Sequence, residues 1–171
     1  QPEEAAYFRG LVDAPDKAVT DYLSAMGAKV EVKNEVIRVS ADHLSGTEID
    51  MNETPDALPV MAVLGCFAEG ETRLLNVEHA RYKETDRIAV MAQELRKMGA
   101  DVDERDDGLV IRHSGLRGAV VDGHGDHRVV MALALAGMNS TGMTTVSTAE
   151  AAAITFPEFG RLMKQIGANI D

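Results

Sequence analysis

Two short segments place cations where helix physics disfavours them. Lys83-Glu84-Thr85-Asp86-Arg87 opens onto apolar residues at helical spacing, Ile88, Met91, Leu95 and Met98, and Asp126-His127-Arg128 opens onto Val129 and Val130. A helix N-terminus carries partial positive charge, so an Arg in the first turn is repelled unless an anion stands nearby. Free backbone amides beside a guanidinium that bonds a carboxylate or phosphate at two points make such a start an anion site. The plainer reading is that Asp86 and Asp126 cap their helices while both arginines stand in solvent, and the sequence leaves the two readings open. A third start is Thr54-Pro55-Asp56-Ala57-Leu58-Pro59. With Asp56 at the cap, Pro59 falls at the third helical position, where its missing amide breaks no helical bond. Asp56 is then either a cap or a general base presented at the same end of the molecule as the two arginines.

Other reactive residue types carry less. His124, Asp126 and His127 lie around Gly125 without the further ligand spacing of a metal site, so no metal is expected. Cys66, among Leu64, Gly65, Phe67 and Ala68, has no basic neighbour to activate it and reads as a packed thiol. Gly123-His124-Gly125 lacks the third glycine and the downstream acid of a dinucleotide fingerprint.

The elements that must hold these residues come from a repeat. Leu23-Ser-Ala-Met26-Gly27-Ala28 matches Leu95-Arg-Lys-Met98-Gly99-Ala100, and both match Leu162-Met-Lys-Gln-Ile166-Gly167-Ala168. Gly27 and Gly99 are 72 residues apart and Gly99 and Gly167 are 68 apart, the length of a small α/β unit used three times. Each phrase reads as a helix ending at a left-handed glycine, then a strand. Asp107-Gly108 is expected to turn Val102 back onto Leu109-Val110-Ile111, and Lys33-Asn34-Glu35 to turn Val30-Glu31-Val32 onto Val36-Ile37-Arg38-Val39. Thr72 to Val77, Ala119 to Asp122 and Thr144 to Ser147 read as further strands, and Ala57 to Ala68 and Arg128 to Ala136 as helices. The expected architecture is a single α/β domain of three βαβαββ-like units, approximately 1–51, 52–115 and 116–171. It is a pseudo-threefold arrangement with helices inside and sheets outside, because Val129 to Ala136 is apolar on nearly every face. The third phrase has no return strand, and the first residue is Gln, so the sequence is expected to be a fragment.

Composition removes whole classes of function. A net charge of −11, no Trp and only 4 Phe and 3 Tyr offer nucleic acid neither a basic field nor stacking platforms. The apolar run from Val129 to Met138 is about half of the ~20 residues a membrane span needs. One cysteine allows no internal disulfide, so a cytoplasmic setting is expected.

Arg81-Tyr82-Lys83-Glu84-Thr85-Asp86-Arg87, followed by Gly125-Asp126-His127-Arg128, resembles the 5-enolpyruvylshikimate-3-phosphate synthase family. The likeness runs from Asp50-Met51-Asn52 and Pro55-Asp56-Ala57 to Thr155-Phe156-Pro157 and covers most of the chain. It implies the C-terminal lobe of a two-lobed enzyme, an inside-out α/β barrel completed by the N-terminal lobe of the same enzyme, with the active site between lobes. The implied reaction transfers the enolpyruvyl group of phosphoenolpyruvate to the 5-hydroxyl of shikimate 3-phosphate, releasing phosphate without metal or cofactor. Its place is the shikimate pathway to chorismate and the aromatic amino acids, and the lobe alone is expected to be inactive.

Carried onto this sequence, the resemblance makes Asp56 the acceptor of the hydroxyl proton. Lys83 contacts a shikimate hydroxyl or moves a proton, and Glu84 shuttles a proton at the phosphoenolpyruvate methylene. Arg87 and Arg128 clamp that ligand's carboxylate and phosphate, and His127 stands behind them or relays a proton. His79 replaces an Asn that contacts shikimate 3-phosphate in some members, and Ile154 replaces a Lys that faces phosphoenolpyruvate in many. Isoleucine neither donates a hydrogen bond nor carries charge. The alternatives are a non-catalytic anion-binding or interaction domain, which Ile154 favours, and transfer to a UDP-sugar, which the Lys83–Arg87 segment disfavours. On the clamp reading, loss of Arg87 is expected to cut turnover far more than stability.

Overall fold

The glycine closing each repeated phrase is left-handed, with φ of +98° at Gly27, +91° at Gly99 and +98° at Gly167. In the computed structural model, which describes residues 6–9, 18–33 and 36–170, each of these glycines follows a helix. The helices are α1 (Ala18–Ala25), α2 (Leu58–Phe67), α3 (Arg87–Lys97), α4 (His127–Met138) and α5 (Phe159–Gln165). The strands are β1 (Ala6–Arg9), β2 (Lys29–Lys33), β3 (Val36–Ser40), β4 (Glu48–Asp50), β5 (Glu71–Leu75), β6 (Asp101–Arg105), β7 (Gly108–Arg112), β8 (Val120–Asp122) and β9 (Thr145–Ser147).

Among the described residues, one unit is complete in the βαβαββ sense: β4, α2, β5, α3, β6 and β7. Its sheet has the order β4-β5-β7-β6, with β4 parallel to β5 and the other pairs antiparallel. The first sheet, β1-β3-β2, is antiparallel throughout, and the third is the parallel pair β8-β9. Residues 168–170 form no strand. β4 lies before position 51 in the chain yet bonds to β5, so it heads the second sheet just as β8 heads the third.

Local chemistry moved several expected boundaries. Arg105 pairs with Gly108, so the hairpin turns through Asp106-Asp107 rather than Asp107-Gly108. Gly108 is required for a different reason: a Cβ there would collide with the Leu74 carbonyl. Residues 34 and 35 of the other expected turn lie outside the described residues, although Lys33 does pair with Val36. β5 stops at Leu75 because Asn76 is left-handed, with φ of +58°.

Asp56 is not a helix cap. Two prolines in five residues split the expected start into a 3-10 turn, Pro55–Ala57, followed by α2, with Pro59 at its second position. The Leu58 amide bonds to the Pro55 carbonyl, and the Asp56 side chain is left to point elsewhere.

Helices α2, α3 and α4 pack on one another at the centre through Leu58, Met61, Cys66, Met91, Leu95, Val129 and Leu133, all fully buried, with the sheets around them. Burial pushes the Cys66 thiol up to about 12, as suits a core residue rather than a nucleophile. Beside the short third sheet, α4, β9, the segment 149–157 and α5 line an open, mostly apolar pocket of about 790 Å³ that includes Val130, Ala134, Met138 and Phe156.

Candidate functional site

The carboxyl ends of β4 and β8 and the start of α3 converge. Asp86 caps α3 by accepting from the Ala89 amide at 2.9 Å, and Asp126 caps α4 by accepting from the Arg128 amide at 2.8 Å. The capping half of the plainer reading therefore holds, but its solvated arginine does not at Arg87. Arg87 is buried, with 1% of its side chain exposed, and its donors are aimed at three carboxylates. Nε donates to Asp126 Oδ2 at 2.8 Å, one terminal nitrogen to Asp56 Oδ1 at 2.7 Å, and the other to Glu84 Oε2 at 2.7 Å and Asp126 Oδ1 at 3.2 Å. The misplaced charge at this helix start is thus answered from within the fold.

Arg128 is treated differently. It is 32% exposed and reaches Asp56 only at 3.4 Å side chain to side chain and 3.5 Å to the carbonyl. Lys83 approaches the same Asp56 carboxylate at 3.3 Å. Lys83, Arg87 and Arg128 therefore face Asp56, Glu84 and Asp126, and the charges balance. Burial alone would raise the Asp56 carboxyl, but the Arg128 charge, the Arg87 hydrogen bond and Lys83 outweigh it and hold it below the usual carboxylate range. Burial likewise works against the Arg87 charge, and its Asp126, Asp56 and Glu84 partners reverse the balance and raise it.

The structure gathers Asp56, Lys83, Glu84, Arg87 and Arg128 into one network and leaves two expected residues off it. His79 is exposed on the 3-10 turn Glu78–Tyr82, and His127 is buried as the first residue of α4, outside the ion pairs. Ile154, 71% exposed at the end of the 3-10 turn Ala149–Ile154, adds no polar contact. Among the described residues, no group of His, Cys, Asp and Glu is placed to hold a metal ion, and no helix is long and apolar enough to cross a membrane.

The family model for EPSP synthase (3-phosphoshikimate 1-carboxyvinyltransferase) matches residues 9–163. The chain belongs to this family. A 3-phosphoshikimate 1-carboxyvinyltransferase of Acetivibrio thermocellus is 57% identical over 155 residues, which cover 91% of this chain and 37% of that protein. One from Methanocella arvoryzae is 49% identical over the same shares. The solved EPSP synthase of Acinetobacter baumannii superposes with a TM-score of 0.87 at 29% identity, over 94% of this chain and 41% of that one. An enolpyruvyl transferase of Streptomyces tendae, at 22% identity and a TM-score of 0.79 over 99% of this chain and 40% of that one, shares the fold. The expected inside-out α/β architecture is therefore that of the EPSP synthase family. The chain spans little more than a third of the length of the relatives it matches.

Three side chains whose ionic roles are not legible in the sequence help to build the candidate site of this EPSP synthase-family chain. Asp126 is the buried partner of Arg87 as well as a cap. Arg81 ties the Asp86 cap at 2.8 Å to Glu104 at 2.9 Å and to the carbonyls of Arg105 and Asp106, bracing the Lys83–Asp86 segment on the β6–β7 hairpin. Glu94 is a fully buried carboxylate on α3. Its signal was available: it stands three residues after Met91, where helical spacing calls for an apolar side chain.

Proposed function

We propose that this chain forms one lobe of an enzyme that transfers the enolpyruvyl group from phosphoenolpyruvate to the 5-hydroxyl of shikimate 3-phosphate, releasing phosphate. The remainder of the protein supplies the opposing lobe, and the setting is the cytoplasm. The observation that carries the reading is the convergence of Lys83, Arg87 and Arg128 on Asp56 and Glu84, in a chain of the EPSP synthase family.

Chemically, the network is neutral at rest, so an anionic ligand has to compete with carboxylates already in place. Arg128 and Lys83, the looser contacts, are the ones an incoming phosphate or carboxylate takes first. Arg87 keeps its buried Asp126 contact while its outward nitrogens turn from Asp56 and Glu84 to the ligand. Each cation withdrawn from Asp56 removes an influence that lowers its pKa, so ligand binding makes Asp56 a better proton acceptor. Asp56 then takes the proton from the attacking 5-hydroxyl as its oxygen bonds to C2 of phosphoenolpyruvate, while Glu84 passes a proton from solvent to the methylene carbon. Expulsion of phosphate, with a methyl proton returned to the Glu84 carboxylate, regenerates the enol ether. His127 and His79 are the outer members of this site, as proton relay and as contact to shikimate 3-phosphate. Closure of two lobes would exclude water from these charges, which is why the lobe alone is inactive in this reading.

The test is phosphate release from phosphoenolpyruvate and shikimate 3-phosphate by the full-length protein, with NMR titration of this chain by both ligands, alone and with the complementary lobe. Shifts centred on Asp56, Lys83, Arg87 and Arg128 that strengthen with the second lobe are expected. A folded, associated pair that neither shifts nor releases phosphate would instead favour a binding domain that has lost its chemistry, with Ile154 as the first replacement to revert.

A further inference from the structure

The residue before the repeated leucine is Tyr22 on α1 and Glu94 on α3, and each reaches out of its own unit. The Tyr22 hydroxyl lies 2.6 Å from Thr54 Oγ1 and donates to the Asp50 carbonyl at 3.3 Å. Glu94 Oε2 accepts from the Asp122 amide at 2.8 Å, and Oε1 lies 3.5 Å from His124 Nε2. Asp50 and Asp122 end the equivalent strands β4 and β8, and each accepts the amide two residues on, Asn52 in one turn and His124 in the other. The turn after β4 leads to Asp56, and the turn after β8 ends at Asp126 and leads into His127 and Arg128 at the start of α4. One repeat position thus fastens both turns of the site to the helix before them.

Stability alone does not account for Glu94. A carboxylate with no exposed surface is costly to bury, and even with Lys97 on both oxygens, at 2.8 and 2.7 Å, an apolar side chain would serve the core as well or better. What an apolar residue cannot do is hold the Asp122 amide. The turn needs that hold because it is tightly bent: His124 and Gly125 are both left-handed, and a Cβ on Gly123 would collide with Val130.

We propose that Glu94 is the positioning residue for the turn presenting Asp126, His127 and Arg128, and that Tyr22 is its counterpart for the turn presenting Asp56. This deepens the reading of the site as an enolpyruvyl-transfer centre and rests on it. The test compares Glu94→Ala, Glu94→Gln and Tyr22→Phe with the remote core variant Leu109→Ala in the full-length protein. Amide exchange is followed beside steady-state kinetics with phosphoenolpyruvate and shikimate 3-phosphate. Glu94→Ala is expected to speed exchange across 122–128 and to lower kcat/KM about 10- to 100-fold, the scale of a misplaced catalytic group. Glu94→Gln, whose amide oxygen still accepts from Asp122, recovers most of both. Tyr22→Phe speeds exchange across 50–56 and leaves 122–128 as in wild type. The proposal is overturned if Glu94→Ala does no more to 122–128 exchange and to kcat/KM than Leu109→Ala does for the same loss of melting temperature. Should the wild type release no phosphate, the enolpyruvyl-transfer reading falls, and the segment-specific exchange alone decides the positioning role.

Discussion

Arg87 and Arg128 open consecutive core helices, each beside a capping Asp, yet the fold uses them in opposite ways. Arg87 is sealed at the centre by the start of α3, with Asp126 behind it and Asp56 and Glu84 in front. Arg128 stands a third exposed at the start of α4, with only long contacts to Asp56. Desolvation is the lesson. A charge taken from water must be matched by charges that are also buried, whereas one left at the rim is screened and free to change partners. Arg87 is therefore part of the scaffold as well as the proposed site, and Arg128 belongs to the proposed site alone.

Arg87→Ala should show the largest effect, because it strands the fully buried Asp126 carboxylate: about 3–5 kcal/mol of stability is lost. This replaces the expectation that turnover would suffer far more than stability. Urea denaturation measures the loss, and adding Asp126→Asn, which removes the stranded charge, should restore most of it. Asp56→Asn removes the proposed proton acceptor and should cut turnover by about 10²–10⁴-fold, read as phosphate release by the full-length protein.

Arg128→Ala should lower kcat/KM about 10²–10³-fold while changing stability by less than about 1 kcal/mol. A stability loss equal to that of Arg87→Ala would erase the contrast between the two arginines. A subtler effect is on pH. The Asp56 carboxyl is held lower in the folded state, so its ion pairs stabilise fully above the unfolded carboxylate value of about 4. That contribution disappears as pH falls through the lower folded value. Thermal melts of wild type and Asp56→Asn should therefore differ by a constant amount from neutral pH down to about 4 and converge below it. The smallest effect belongs to Arg112→Ala. Arg112 meets Glu71, Asp101 and Asp103, but on the outer face of the second sheet, so melting temperature should barely move and kcat/KM should stay at the wild-type value.

The fold was legible where local geometry leaves few solutions. A glycine after an amphipathic helix needed the left-handed conformation at Gly27, Gly99 and Gly167, and the alternation around Val110 needed a strand. Gly108 was misread because its reason is a carbonyl on β5, far away in sequence. Of the two readings of Asp56 the cap fails, because nothing local reveals that two prolines turn its carboxylate toward Arg87. The gathering of Asp56, Lys83, Glu84, Arg87 and Arg128 was legible as residue types in a family pattern, whereas the roles of Asp126, Arg81 and Glu94 were not. Which acid meets which base depends on distances across the fold.

The repeat, the helix and strand periods, the anomalous cations at two helix starts and the family pattern are all written in spacing along one chain. That one of those cations is buried and internally neutralised while the other stands at the rim with long contacts follows only from packing. Desolvation and Coulomb energy depend on what surrounds a charge in three dimensions, and Arg87 and Asp126 are 39 positions apart until α3 and α4 pack together.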